Sequence, residues 1–212
     1  MVEKMAISPP PEERDGIPMS AEEYMEKYAE YHYEWVKGVA YKMSPVTDIH
    51  FLLVKYLFLL FEAYFKLNPI GFFMGDPFVM RLDNLPSKRQ PDVQVILHTN
   101  PGEFTSTAMI GPADICIEVV SPGSIAEDYR DKFSEYQQGS VQEYCIIDPQ
   151  KQECRFHRLQ PNGVYAVIPL DADGHYITSL LPHFKLHVAT LWQTPLPDIF
   201  AVTDAVKAMF QN

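Results

Sequence analysis

Pro91-Asp92-Val93-Gln94-Val95-Ile96-Leu97 and Asp114-Ile115-Cys116-Ile117-Glu118-Val119-Val120-Ser121-Pro122 are the stretches that decide the reading of this chain. Both are short apolar runs rich in valine and isoleucine, the pattern of strands buried in a sheet. Each carries an acid: Asp92 enters the first run behind a proline, and Glu118 sits inside the second. A carboxylate on such a strand loses hydration, and a partner must compensate that loss. Two acids on neighbouring strands also repel, so a divalent cation is a natural partner for them.

The flanking sequence supplies the other elements. Ser20-Ala21-Glu22-Glu23 is a capping box that opens a helix through about Tyr31. Residues 34–43 read as two short strands around Gly38. A long helix covers about residues 46–67, with Asp48, Lys55, Glu62 and Lys66 on one narrow polar stripe. Residues 71–74 and 77–82 are strand-like, and residues 101–112 read as a loop. A second helix runs from about Ser124 to Gln138 and is closed by Gly139. Residues 141–148 form a strand, and a Pro161-Asn162-Gly163 turn marks a hairpin near the C-terminal end. Residues 191–197 look irregular, and Ile199, Val202, Val206 and Met209-Phe210 mark a short last helix. The expectation is one α/β domain over residues 19–212 with a central mixed sheet, behind a flexible arm at residues 1–18.

Composition bounds the function. The chain has 212 residues, 47% of them hydrophobic, enough for one domain with a real core. A net charge of −11 gives no global attraction to nucleic acid or anionic lipid, so any phosphate-binding surface must be local or metal-assisted. Cys116, Cys145 and Cys154 form no disulfide framework, which fits a reducing cytoplasm. The N-terminus lacks the apolar core of a signal peptide. Lys55 and Glu62 interrupt the most apolar stretch, so no membrane span is expected. The histidines show no zinc-ligand spacing, and no phosphate-cradling glycine loop or nucleophile turn is present.

The second helix carries an anomaly. Its apolar stripe is Ile125, Tyr129, Phe133 and Tyr136, and at about 100° per residue Lys132 points into it. Asp128 lies one turn earlier at the edge of the same face. A lysine on a buried helix face needs an anionic partner. The alternative is a surface pair of Asp128 and Lys132 with a snorkelling stem.

The order helix, three strands, helix, strand resembles the core of the PD-(D/E)XK nuclease superfamily. Pro91-Asp92 and Glu118-Val119-Val120 occupy the places of its two motifs, with Val120 where the motif has lysine. More closely, the chain resembles the Uma-type family of restriction endonucleases within that superfamily. The matching residues are Tyr33-Glu34-Trp35-Val36-Lys37-Gly38, His50, Pro91-Asp92-Val93 and Ile117-Glu118-Val119-Val120-Ser121-Pro122. Asp128, Lys132, Tyr136, Glu143-Tyr144 and Asp148-Pro149 continue the match. The resemblance implies a restriction-endonuclease-like core with an extra N-terminal helix and hairpin and a C-terminal hairpin. It also implies that Lys132 replaces the missing strand lysine.

Such a site implies metal-dependent hydrolysis of DNA phosphodiester bonds. Asp92, Glu118 and a carbonyl near Val119 would hold Mg²⁺ or Mn²⁺, because magnesium uses few carboxylates and keeps several waters. Lys132 would orient or deprotonate the attacking water, or neutralise charge on the phosphate. Glu34 is a candidate third acid, or else a surface glutamate ending a helix. His50 faces the core, as a hydrogen-bonded histidine or as a group beside the metal or phosphate. Asp128 belongs beside the same site, and Tyr136 is read as core or as facing it. Arg81, Lys88 and Arg89 are candidate phosphate contacts, or ordinary loop charges. A homodimer is expected from the superfamily and from the apolar last helix. Two other classes stay open: a nuclease-fold interaction module without activity, and a metal-free acid/base hydrolase acting through Asp92 and Glu118.

Overall fold

The computed structural model describes residues 16–43 and 46–211. In chain order its strands are β1 (Ile17–Pro18), β2 (Tyr33–Val36), β3 (Val39–Lys42), β4 (Gly71–Met74), β5 (Val79–Leu82), β6 (Ser87–Arg89), β7 (Val93–Leu97), β8 (Glu103–Phe104), β9 (Ala108–Ile110), β10 (Ile115–Val119), β11 (Glu143–Asp148), β12 (Glu153–Leu159), β13 (Tyr165–Val167), β14 (His175–Ile177) and β15 (Lys185–His187). The helices are α1 (Ala21–Lys27), α2 (Asp48–Leu67), α3 (Phe133–Gln138) and α4 (Ile199–Met209). A π-helical turn, Glu127–Lys132, runs directly into α3.

The two acidic runs become neighbours. β7 and β10 pair antiparallel with Val95 opposite Ile115, and β10 pairs parallel with β11. They lie inside a six-stranded mixed sheet of order β13-β12-β11-β10-β7-β4. Side chains alternate between the two faces of a strand. Val93, Val95, Ile115, Ile117 and Val119 face one core, which α2 and α4 cover. Ile96, Cys116 and Val120 face the other, with Tyr136 and Tyr144. Glu118 lies between Cys116 and Val120, and Asp92 continues the alternation of Gln94 and Ile96. Period two thus turns both acids to the same face of the sheet, the face that carries the Lys132 helix.

Local chemistry sets the element ends. Ser20 accepts from the Glu23 N–H and caps α1, which stops at Lys27, short of the expected Tyr31. Thr47 caps α2 through the His50 N–H. Lys37 and Gly38 at φ 49° and 88° close the β2–β3 hairpin, the left-handed pair that such a two-residue turn demands.

Several expectations are corrected. A second, seven-stranded sheet of order β1-β3-β2-β6-β5-β9-β8 packs beside the expected one. β2, β3 and β5 fall where strands are expected, but its strands are only two to four residues long and the sequence does not show them gathering into a separate sheet. Residues 101–112 are not a plain loop, because β8 and β9 form there and join that sheet. A 3-10 turn, Val188–Trp192, extends into the segment read as irregular. Ile17 and Pro18 belong to a paired strand rather than to the arm, and the arm's first 15 residues lie outside the described residues. Among the described residues, no helix is long and apolar enough to cross a membrane.

Candidate active site

Asp92, at the entrance to β7, and Glu118, in β10, open into one pocket together with Val119, His50, Asp128 and Lys132. The cavity is about 30 Å³, a volume that admits a metal ion with a water or two. Asp92 is fixed through one oxygen: Oδ2 accepts from the Val119 N–H at 2.7 Å and lies 3.1 Å from His50 Nε2. His50 is therefore a hydrogen-bonded buried histidine and also touches the acid of the site.

Lys132 comes from the π-helical turn. Its side chain is 2% exposed, which excludes the surface-pair alternative. Its Nζ lies 2.9 Å from Glu118 Oε2, 3.4 Å from Asp128 Oδ1 and 3.7 Å from Glu34 Oε1. Tyr136 donates to Glu118 Oε1 at 2.8 Å, so it is both core and site-facing. Tyr144 donates to the Asp128 carbonyl and Ser124 to the Asp128 carboxylate, which fixes the helix against the sheet. A π turn inserts one residue into a helix and often marks a functional site. Here it buries Glu127, Asp128 and Lys132 together.

Glu34 is not a surface glutamate. It is fully buried on β2, accepts from the Gln90 N–H at 2.9 Å and pairs with Arg89 Nη1 at 2.7 Å. Arg89, 1% exposed on β6, also donates to Glu127 and grips both oxygens of Glu135 at 2.8 and 2.9 Å. Its assignment as a phosphate contact is corrected on that ground, since a guanidinium shared among three carboxylates has no face left for a phosphate. Lys88 is buried against Trp35, with Nζ 5.7 Å from the ring. Arg81 pairs with Asp83 at 3.3 Å. Neither Arg81 nor Lys88 lines the pocket.

The electrostatics are lopsided. Glu34, Asp92, Glu118, Glu127, Asp128 and Glu135 form a connected set of six carboxylates around two cations, Lys132 and Arg89. Burial, helped by Asp92, raises Glu118 well above the usual carboxylate range against the pull of Lys132. Burial raises Asp128 and Glu127 in the same sense. Burial would also raise Glu34, but Lys132, Arg89 and the Gln90 N–H outweigh it and hold it at about 2. Burial disfavours the Lys132 charge, yet Glu118, Glu34 and Asp128 raise its pKa well above the ordinary value. The donor set fits a hard divalent cation: carboxylate oxygens, each with a lone pair beyond its present hydrogen bond, and excess negative charge.

Glu34 gives a pH test. Its pKa falls from 4.5 in the open chain to about 2 in the fold. The ionised form therefore stabilises the protein above pH 4.5, and that contribution is lost as pH falls toward 2. Glu34→Gln will flatten the stability curve across that window in urea titrations. An acid limb identical to wild type would show that Glu34 carries no such linkage.

Sequence reasoning missed Glu127 and the His32–Asp76 pair at 3.0 Å, all of which line the pocket. Glu127 would be visible five residues before Lys132 only to a reader who expected a π turn. Asp171, Asp173 and His175 also bring ligand atoms within 4.8 Å of one another on an exposed turn. Asp171 Oδ1 is already used there by the N–H groups of Asp173 and His175.

Two acids thus share one face of a mixed α/β sheet, with the Lys132 ammonium against one of them. The fold has a known counterpart. A crystal structure described as "a putative nuclease belonging to DUF820", from Anabaena variabilis ATCC 29413, superposes with a TM-score of 0.63 at 16% identity, covering 76% of this chain and 89% of that one. Residues 21–189 match the model of the Uma2 family, described as "Putative restriction endonuclease", and the chain belongs to that family. No curated protein matches it. Family membership supports a nuclease function.

Proposed function

We propose that this chain hydrolyses DNA phosphodiester bonds with Mg²⁺ or Mn²⁺ held by Asp92, Glu118 and the carbonyl of Val119. The observation that carries this reading is the Lys132 ammonium, buried 2.9 Å from Glu118 in the pocket that Asp92 shares. A bound divalent cation supplies Lewis acidity at the scissile phosphate. The protein supplies position and charge. Asp92 is oriented by the Val119 N–H and His50, and Glu118 by Tyr136. Lys132, held by Glu118, Asp128 and Glu34, is placed to orient or deprotonate the attacking water or to neutralise charge on the phosphate. Glu34 anchors Lys132 from the second sheet, and Asp128 from its own helix. Cutting both strands of a duplex is simplest with two sites related by a two-fold axis, so a homodimer is part of the proposal.

Plasmid nicking with Mg²⁺ or Mn²⁺, against chelator and against Asp92→Ala, tests the reading. Cutting is expected with metal and is lost in chelator and in the variant. Metal at about 100 times its Kd will stabilise the fold by about 2.7 kcal/mol, a rise in Tm of roughly 5–10 °C. No cutting and no thermal shift by the wild type would sink the proposal and make an inactive interaction module the leading account. Cutting that survives Asp92→Ala would overturn the ligand assignment.

A further inference from the structure

Helix α2 shows solvent a face that is apolar and complementary to itself. Phe51 is 60% exposed and Leu52 44%, although both lie in a stretch whose composition reads as core. A groove runs along this face. A cavity of about 430 Å³ beside Phe51, Phe58 and Phe73 continues into one of about 230 Å³ walled by Lys66 and Ile199. Leu59 and Glu62 line both. Contiguous apolar surface of this kind marks an interaction site more often than scattered single residues do.

The charges on the face say what covers it. Lys55 and Glu62 are seven residues apart, so at about 100° per residue they project within about 20° of each other. Both are exposed and line the larger cavity, equidistant in sequence from the Phe58–Leu59 step. We propose that this face binds a second copy of the chain across a two-fold axis that passes α2 between Phe58 and Leu59. An isologous contact of antiparallel helices brings each residue opposite the one equally far beyond the axis. Lys55 then meets the partner's Glu62, and Glu62 meets the partner's Lys55. Phe51 meets the partner's Lys66, at the end of the groove that Ile199 walls, so an exposed ring enters the smaller cavity. Glu62 also holds its own Lys66 at 3.5 Å, an exposed pair that leaves it accessible to a second lysine. Apolar centre and opposed charges give one register, because a shift by one helical turn puts Lys55 against Phe58 in one direction and against Lys66 in the other.

This inference deepens the dimer part of the proposed function and is independent of catalysis. Its readout is molecular mass, measured by sedimentation equilibrium on the full chain at low salt. The wild type is expected to be a dimer. Lys55→Glu opposes acid to acid twice by symmetry, and Glu62→Lys opposes base to base. Each single variant should dissociate at least about 100-fold more readily, since like charges facing across an interface are strongly unfavourable. An equimolar mixture of the two single variants, and the Lys55→Glu/Glu62→Lys double variant, restore opposite charges and should dimerise again. That recovery also shows that the single variants are folded. A monomeric wild type, or a dimer indifferent to both reversals, would overturn the proposal while leaving the metal-site reading untouched.

Discussion

Arg89→Met will lower the stability of this protein by about 3–5 kcal/mol, the usual result of removing one partner from a buried ion pair. For a chain of this size that corresponds to a fall in Tm of roughly 6–20 °C. The cause is specific. Arg89 pairs with Glu34, Glu127 and Glu135 at once, and two of those acids are buried. Methionine fills the space of the stem and supplies no charge. The stranded carboxylates then take up protons more readily, so their folded pKa values rise. The penalty is therefore largest at neutral pH and shrinks as pH falls through the raised values. Calorimetry at pH 7 and pH 5 measures both statements. A loss below about 1 kcal/mol at neutral pH would show that the cluster is no more than a surface network.

Lys132→Met will lower the rate of metal-dependent cutting by about 10²–10⁴, the range for a group that assists charge or proton movement at the reacting centre. Lys132→Arg will not restore it, because a planar fork cannot reproduce a point charge held 2.9 Å from Glu118 and 3.4 Å from Asp128. Single-turnover nicking at saturating metal separates this loss from weaker metal binding. Circular dichroism separates it from unfolding. Cutting by Lys132→Met within tenfold of wild type would remove the lysine from the chemistry.

The features behind these two predictions differ in how far the sequence discloses them. Asp92, Glu118 and Lys132 stand out because each breaks a local pattern: an acid in an apolar strand, or a cation in an apolar helix stripe. The structure gathers them in one pocket. Arg89 breaks no pattern. It sits in a three-residue strand beside other basic residues, and its partners come from β2 and from two turns of the later helix. Only tertiary packing makes it an anchor rather than a loop charge. The second sheet is hidden for a related reason. β2, β3 and β5 are legible as short strands, but β1, β6, β8 and β9 are two or three residues long, and non-local pairing rather than composition gathers all seven. Glu34 looked like a helix-terminal glutamate because the hairpin that buries it lies against strands far along the chain.

The π-helical turn before α3 adds a constraint of a different kind. It sets the angular phase of the helix, and one residue of phase is about 100°. A chain lacking one of residues 129–131 inside that turn would keep all six carboxylates and both cations of the cluster. Its helix would nonetheless be turned so that the ammonium of Lys132 swings off the sheet. What specifies this site is therefore partly a count of residues, and comparing side chains position by position would not detect its loss.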